Sequence, residues 1–252
     1  MALSSTYQGL SSGKGLKVGA VNIELTEKFK TEATRAGFVL YEARGAEDAN
    51  NHVLNLAQER NVKHAVKSKS SLADKLSLVE HLKKAGIGVT ETDLEEWIAQ
   101  LAGKKPTGKE TIEQVAELIS KAAGEKLRPD PQVLLSAASR ALRQYCIDAD
   151  MGISEADVAI AETGTLVIVS DKGSSRLVAV LPRIHVTVID CGNIVPTLED
   201  AAARFKSLAR QSTGQMMVSY VTYITGRNTT ADIPGAVLAR AQGPAEEHIV
   251  LI

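Results

Sequence analysis

A polar turn between two short apolar runs carries the residues of this chain best suited to chemistry. The runs, residues 158–161 and 166–169, are rich in β-branched side chains, which is typical of buried strands. The turn between them consists of Glu162, Thr163, Gly164 and Thr165. Its carboxylate, hydroxyls and backbone N–H groups could hold an anionic or phosphorylated ligand, with Glu162 as a catalytic residue. A tight hairpin with capping hydroxyls explains the same residues.

Cationic side chains flank the next apolar runs, residues 177–181 and 186–189, which we also predict to be strands. The guanidinium groups of Arg176 and Arg183 could clamp a carboxylate or phosphate between them. His185 could move a proton near neutral pH, which makes it the second candidate catalytic residue. Solvent-exposed arginines and a histidine hydrogen-bonded at the start of a strand are the alternative interpretation.

A second polar segment, from Lys67 to Ser70, follows a predicted strand at residues 64–66 and precedes a predicted helix at residues 73–84. In a parallel sheet such a segment lies at the carboxyl edge and at the N-terminus of the next helix. An anion binds readily at such a position. An ordinary solvated turn is an equally good interpretation.

Further polar residues follow two other predicted strands. Glu91 and Asp93 come after the strand at residues 87–90 and are candidate proton acceptors, although helix capping also explains them. Arg227 lies in a polar segment, residues 226–233, which is either a ligand-binding loop or an ordinary surface loop. Because the ends of parallel strands meet at one edge of a sheet, we expect the side chains named so far, apart from Arg227, to line one crevice for a small carboxylate or phosphate.

The elements that must position these residues alternate between strands and helices. Short apolar runs at residues 38–41, 64–66 and 87–90 alternate with helical patterns at 23–36, 46–60 and 73–84, the last with Ser71 as its cap. This rhythm predicts an α/β fold with a mostly parallel central sheet flanked by helices. The remaining predicted elements are helices at 92–101, 112–123, 131–149 and 197–210, a turn at 103–107, and strands at 216–224 and 249–252.

Composition narrows the class of protein. The formal net charge is −1 and no segment is strongly basic, which argues against nucleic-acid binding. No apolar run is long enough to span a bilayer and the N-terminus lacks the apolar core of a signal peptide, so we predict a cytoplasmic protein. We expect residues 1–15 to be a flexible tail and residues 16–252 to be a single domain, with a helical connecting layer near 92–149.

The cysteines bear on cofactors. Cys146 and Cys191 are the only two in 252 residues, and neither belongs to a Cys-x-x-Cys pair. We therefore predict no metal site and no iron–sulfur cluster built from this chain alone. The chain ends on an apolar run, which fits either a fragment of a longer protein or a buried last strand.

Several linked motifs resemble those of the LUD-domain (lactate-utilization) family. The turn from Glu162 to Thr165 is followed by an Arg-Leu pair and a Leu-Pro-x-x-His segment that ends at His185. Further matching segments are Lys-Ser-Lys-Ser at 67–70, Glu-Thr-Asp-Leu at 91–94, and stretches at 194–200, 229–233 and 243–248. The resemblance runs from residue 67 to the C-terminus and is nearest to the larger, iron–sulfur-containing members.

The resemblance implies a fold shared with ribose-phosphate isomerases, glucosamine-phosphate deaminases and CoA transferases. It also implies a role in a bacterial L-lactate oxidation complex, with other lactate-utilization subunits and a small anionic ligand as partners. Iron–sulfur clusters would then belong to a C-terminal region or to partner subunits, and the chain could form a homo-oligomer. A self-sufficient enzyme acting on a small phosphorylated or CoA-linked acid and a structural assembly subunit are the alternatives, so whether the chain is itself an enzyme stays open.

Overall fold

A computed structural model of the protein describes residues 22–103, 110–170, 173–212, 219–227, 229–233, 236–239 and 243–252. The helices within these residues are α1 (Ile23–Arg35), α2 (Ala46–Glu59), α3 (Ser71–Leu76), α4 (Leu78–Lys84), α5 (Leu94–Ala102), α6 (Ile112–Ala123), α7 (Pro131–Asp148), α8 (Ser174–Val180) and α9 (Leu198–Ser212). The strands are β1 (Val39–Glu42), β2 (His64–Lys67), β3 (Gly88–Glu91), β4 (Met151–Glu155), β5 (Val158–Ile160), β6 (Thr165–Ser170), β7 (Ile184–Ile189), β8 (Ile194–Val195), β9 (Tyr220–Ile224), β10 (Thr229–Ile233), β11 (Ala236–Ala239) and β12 (Glu246–Leu251).

The centre of the fold is a six-stranded sheet in the order β1-β12-β7-β4-β2-β3, in which every neighbouring pair is parallel. The predicted mostly parallel sheet flanked by helices is therefore confirmed. The chain runs from β2 outward to β3 and then returns to β4 on the other side of β2. This reversal makes a topological switch point between β2 and β4, the position at which open α/β sheets usually bind ligands.

Helices cover both faces of this sheet. Ala65 and Val66 are consecutive in β2, so their side chains point to opposite faces. Ala65 belongs to a core formed with α2, α3 and α4, whereas Val66 packs with Cys146 of α7 and Val178 of α8. The crossover after β2 therefore lies on one face, and α7 and α8 lie on the other.

A second, four-stranded sheet has the order β8-β5-β6-β9. Its β5 and β6 pair antiparallel, with Gly164 in the turn between them at φ +65°, which confirms the predicted hairpin. Phe29 and Ala33 of α1 pack against Leu166 of this sheet and Ile249 of the six-stranded sheet. The two sheets therefore share a hydrophobic core through α1.

The helical layer is formed by α5, α6 and α7. Trp97 of α5 packs with Ile119 of α6 and with Leu134 and Ala137 of α7, and the four side chains are almost fully buried. The Trp97 ring also meets the Tyr145 ring edge-on, with centroids 6.4 Å apart. These helices were predicted, and no helix among the described residues is long and apolar enough to span a bilayer.

The strand predicted at residues 177–181 is wrong, because this run belongs to α8. Gly173 precedes the helix in a left-handed conformation, and Val178 and Ala179 are buried while Arg176 and Val180 are exposed. That burial follows the helical repeat rather than strand alternation. A five-residue apolar run fits either element, and only tertiary packing selects one of them.

Other boundaries also differ. The helix predicted at 73–84 is divided at Ser77, which adopts φ +55°, and Ser70 rather than Ser71 caps its first part. The segment at 226–233, predicted as a loop, contains β10, which pairs with β11. The central strand β4 was not predicted. The tail at 1–15 and most of the turn at 103–107 lie outside the described residues.

Candidate functional site

A buried lysine lies at the carboxyl edge of the six-stranded sheet, beside the switch point. Lys67 ends β2 and its side chain is fully buried. Its Nζ lies 2.9 Å from Oε2 of Glu91, 3.1 Å from Oδ1 of Asp74 and 3.7 Å from Oε2 of Glu96. Glu91 is the register partner of Lys67 in β3, so the pairing of the two strands places the charges side by side.

Opposing effects set the charge states of this pair. Burial lowers the pKa of Lys67, but the charges of Glu91, Asp74 and Glu96 outweigh it, so the pKa is raised and the ammonium stays charged. For Glu91 burial dominates, and it raises the pKa to about 7 although Lys67 acts to lower it. Glu91 therefore changes protonation near neutral pH, which suits a group that exchanges a proton with a ligand.

A cavity of about 500 Å³ opens next to this pair, bounded by the N-termini of α3, α5 and α8 and by the ends of β4 and β6. We call it the switch-point crevice. Among the described residues, its charged lining consists of the carboxylates of Asp74, Asp93, Glu96, Glu155 and Asp157 and the ammonium group of Lys69. Serine hydroxyls from Ser71, Ser170, Ser174 and Ser175 complete the polar lining. The described lining is therefore mostly acidic, whereas the sequence predicted a crevice with arginines for a small carboxylate or phosphate.

The anion position predicted at the start of α3 is occupied by a carboxylate of the protein itself. Oε2 of Glu155 accepts hydrogen bonds from the Ser70 hydroxyl at 2.9 Å and from the Leu72 N–H at 3.0 Å. Ser70 in turn accepts from the Ala73 N–H and so caps α3. An external anion at this helix terminus would have to displace Glu155. Asp93 accepts from the backbone of α5, as the capping interpretation predicted.

Asp157 is a functional candidate that the sequence interpretation missed. Burial raises its pKa to about 7, against the effect of the Val169 N–H, which donates a hydrogen bond to Oδ2 at 2.7 Å. The nearby charge of Glu155 adds to the upward shift. The only signal in the sequence is a carboxylate directly before an apolar strand, and that pattern is too common to select it.

We predict a pH-dependent contribution of Asp157 to stability. Because its pKa is higher in the folded than in the unfolded protein, this stability is fully present below about pH 4 and is lost as pH rises to about 7. Asp157→Asn removes the titrating group. Between pH 4 and 7, the free energy of unfolding of this variant should fall by about 2–4 kcal/mol less than that of the wild type. Urea denaturation over this pH range measures the difference.

The matched control for that experiment is Asp148→Asn, a change at an exposed position near the end of α7. This variant should keep the wild-type pH dependence. Parallel pH profiles for Asp157→Asn and the wild type would contradict the prediction.

The turn residues of the predicted site lie away from the switch-point crevice. Oε1 of Glu162 accepts a hydrogen bond from the Leu198 N–H at 2.9 Å, at the start of α9. The hydroxyls of Thr163, Thr165 and Thr225 form a chain with 2.8 Å between successive oxygens. These contacts hold the turn together, and a ligand-binding role for them stays a prediction.

His185 is enclosed in the sheet by a hydrogen-bonded chain. Its Nδ1 lies 2.7 Å from Oε2 of Glu247, and its Nε2 lies 2.8 Å from Oγ of Ser154. A serine, a histidine and a carboxylate at these distances resemble a nucleophilic triad. However, the side chains of Ser154 and His185 are fully buried, so a substrate cannot reach them without a rearrangement of the sheet. Catalysis by His185 stays a prediction that this burial does not favour.

The predicted arginines lie in three separate places. Arg183 precedes β7 and is exposed at the amino edge of the sheet, opposite the switch-point crevice. Arg227 is exposed beside Gly37. Arg176 lines a second cavity, between α7 and α8. The expectation that Arg176 and Arg183 share one crevice with the strand-end residues is therefore wrong, whereas Lys67, Ser70, Glu91 and Asp93 lie together at the carboxyl edge.

The residues present do not fit an iron–sulfur cluster. Cys146 packs with Val66 and Val178, whereas Cys191 packs against the core formed by α1 and the second sheet. Burial raises the pKa of both thiols to about 11, so neither is a ready thiolate ligand. Two separated thiols cannot supply the four cysteine ligands that such a cluster takes. Within the part of the chain that the structure describes, no three histidine, cysteine or acidic side chains are arranged to hold a metal ion.

The amino-acid sequence was compared with known protein families and curated proteins. The LUD domain family matches residues 26–252. "Lactate utilization protein B" of Geobacillus sp. (strain WCH70) is 34% identical over 227 residues, which cover 87% of this chain and 46% of that protein. The protein of the same name from Bacillus subtilis (strain 168) is 32% identical over the same shares of both chains. The chain thus spans about half the length of the curated relatives it matches.

A solved structure agrees on the fold. The crystal structure of a DUF162 family protein from Deinococcus radiodurans superposes with a TM-score of 0.51, covering 94% of this chain and 99% of that one. At 14% identity this likeness concerns the fold alone. Because the family match covers nearly the whole chain and relatives above 30% identity share that span, the chain belongs to the LUD domain family.

Proposed function

We propose that this protein serves lactate utilization as the LUD unit of a lactate-oxidation complex, in which it binds the substrate or a partner subunit. The observation that carries the proposal is the 34% identity to a lactate utilization protein B across 87% of this chain. The redox centres of such a complex would belong to a C-terminal region or to partner subunits.

The switch-point crevice supports the substrate-binding form of the proposal. L-lactate is a small monoanion with one hydroxyl, and Lys69 is a cation on the crevice wall that could pair with its carboxylate. The neighbouring acidic groups repel an anion when they are ionised. Because Glu91 and Asp157 have pKa values near 7, they take up protons as the pH falls below neutral, and each proton removes one repelling charge. Lactate binding in this crevice would therefore strengthen between pH 8 and pH 6.

Growth of a deletion strain tests the proposal. We expect loss of the gene to prevent growth on L-lactate as the sole carbon source while leaving growth on glucose unchanged. The wild-type gene should restore growth, and Lys69→Gln should restore it poorly, since it removes a cation from the crevice wall. A matched control is Lys84→Gln, which changes an exposed lysine in the last turn of α4. Normal growth of the deletion strain on L-lactate would contradict the proposal.

A further inference from the structure

A second cavity, of about 630 Å³, lies between α7 and α8 and is closed at one side by the start of α5 and by Tyr220 of β9. We call it the arginine cavity, after Arg143 and Arg176 in its lining. Its walls are mostly apolar and include Leu135, Leu142, Leu177, Val180 and Leu181. Its volume lies in the range of small-molecule sites, and apolar walls with a few polar groups are the usual composition of such sites.

The charges in this cavity have one sign. Arg143 and Arg176 line it, and no carboxylate does so among the described residues. Neither guanidinium group makes a hydrogen bond or an ion pair with a residue that the structure describes. Within the described part of the chain, five carboxylates and one lysine line the adjoining switch-point crevice, and the two cavities share Ser174. At neutral pH an anion is therefore attracted more strongly to the arginine cavity than to its neighbour.

Exposed apolar side chains border the same cavity. Leu135, Val180 and Tyr220 are 56%, 38% and 52% exposed, although large apolar side chains are usually buried in a folded protein. The Tyr220 ring lies beside Gly173, at van der Waals distance from the position that a side chain would take there, and it lines the same cavity. Apolar groups left in water around a concave surface mark a place where a ligand can cover them.

We propose that the arginine cavity binds an organic acid that carries an apolar body, a ligand class distinct from the small hydroxy acid proposed for the switch-point crevice. The acid group pairs with Arg143 and Arg176, and the hydrocarbon body lies along the apolar faces of α7 and α8. Charge-assisted hydrogen bonds to guanidinium fix the head, and burial of the body supplies the larger part of the binding free energy. L-lactate has only a methyl group to bury and therefore gains little here.

Calorimetric titration with octanoate tests this proposal, with octylammonium as a probe of the same body and opposite charge. We expect saturable octanoate binding to the wild-type chain. The double variant Arg143→Gln/Arg176→Gln should weaken it by about tenfold or more, since it removes both charged partners of the acid group. Arg140→Gln is the matched control, because Arg140 is exposed on the same helix but pairs with Glu125 and does not line the cavity. It should bind octanoate as the wild type does.

Three results would overturn the proposal: undiminished octanoate binding by the double variant, equal binding of octylammonium, or no octanoate binding at millimolar concentration. Equal urea midpoints for the variants show that altered binding does not come from unfolding. An excess of L-lactate should not displace octanoate. Failure of the growth test on lactate would leave this experiment unaffected, so the two proposals stand or fall separately.

Discussion

Gly164→Ala should lower the free energy of unfolding by about 3–5 kcal/mol, because the position combines a strained conformation with a close approach of backbone. Gly164 adopts a φ of +65°, a backbone conformation that residues other than glycine rarely adopt. A Cβ there would also overlap the backbone nitrogen of Ala33 and the carbonyl carbon of Glu32 in α1. Since α1 joins the cores of both sheets, moving it away disturbs more than the turn.

The control for this prediction is Gly103→Ala. Gly103 has the same φ of +65°, but a Cβ there meets no atom within 4 Å among the described residues. It should cost only about 1 kcal/mol, the effect of the backbone conformation by itself. The difference between the two variants, measured by urea denaturation, isolates the contact between the hairpin turn and α1. Equal losses in both would contradict the steric part of the argument.

Local patterns were enough to predict the parallel sheet. Each of β1, β2 and β3 is a short apolar run between amphipathic helices, and such an alternation leaves few other arrangements. The strand β4 was missed because its second residue is Gly152, which weakens a strand pattern. The reason for that glycine is distant in sequence: a Cβ there would overlap the carbonyl group of Val178 in α8. A contact of that kind is not visible before the chain folds.

The candidate site was predictable where it depends on strand direction. Lys67 and Glu91 both end strands, and parallel pairing brings them together. Arg183 precedes its strand, so the same rule places it at the opposite edge, and the direction of β7 should have excluded it from the crevice. Asp157 and Arg143 could not be found this way, because their roles depend on burial between sheets and on packing between helices.

Lys67→Met should lower the free energy of unfolding at pH 8 by about 3–5 kcal/mol, because it removes the cation that three carboxylates share. In the variant Glu91 stays buried, with no ion pair and with Glu96 nearby. Removing one partner of a buried pair leaves a desolvated charge, which costs more than the pair contributed. The methionine side chain is close to lysine in length and apolar, so loss of packing is a small part of the effect. Urea denaturation of the variant and the wild type measures the loss.

The double variant Lys67→Met/Glu91→Gln separates charge from packing. With Glu91 neutral, the main uncompensated charge is gone, and most of the lost stability should return.

The stability loss of the single variant Lys67→Met should also depend on pH. Loss of Lys67 removes the interaction that lowers the pKa of Glu91, so this pKa rises further above its usual range. A group whose pKa is raised by folding loses its stabilising contribution as pH rises through the folded value, so Lys67→Met should be far less destabilising at pH 6 than at pH 8. Two results would contradict this prediction: equal losses of stability at both pH values, or a double variant no more stable than the single one. Either would mean that Lys67 stabilises the protein through packing and not through its ion pair with Glu91.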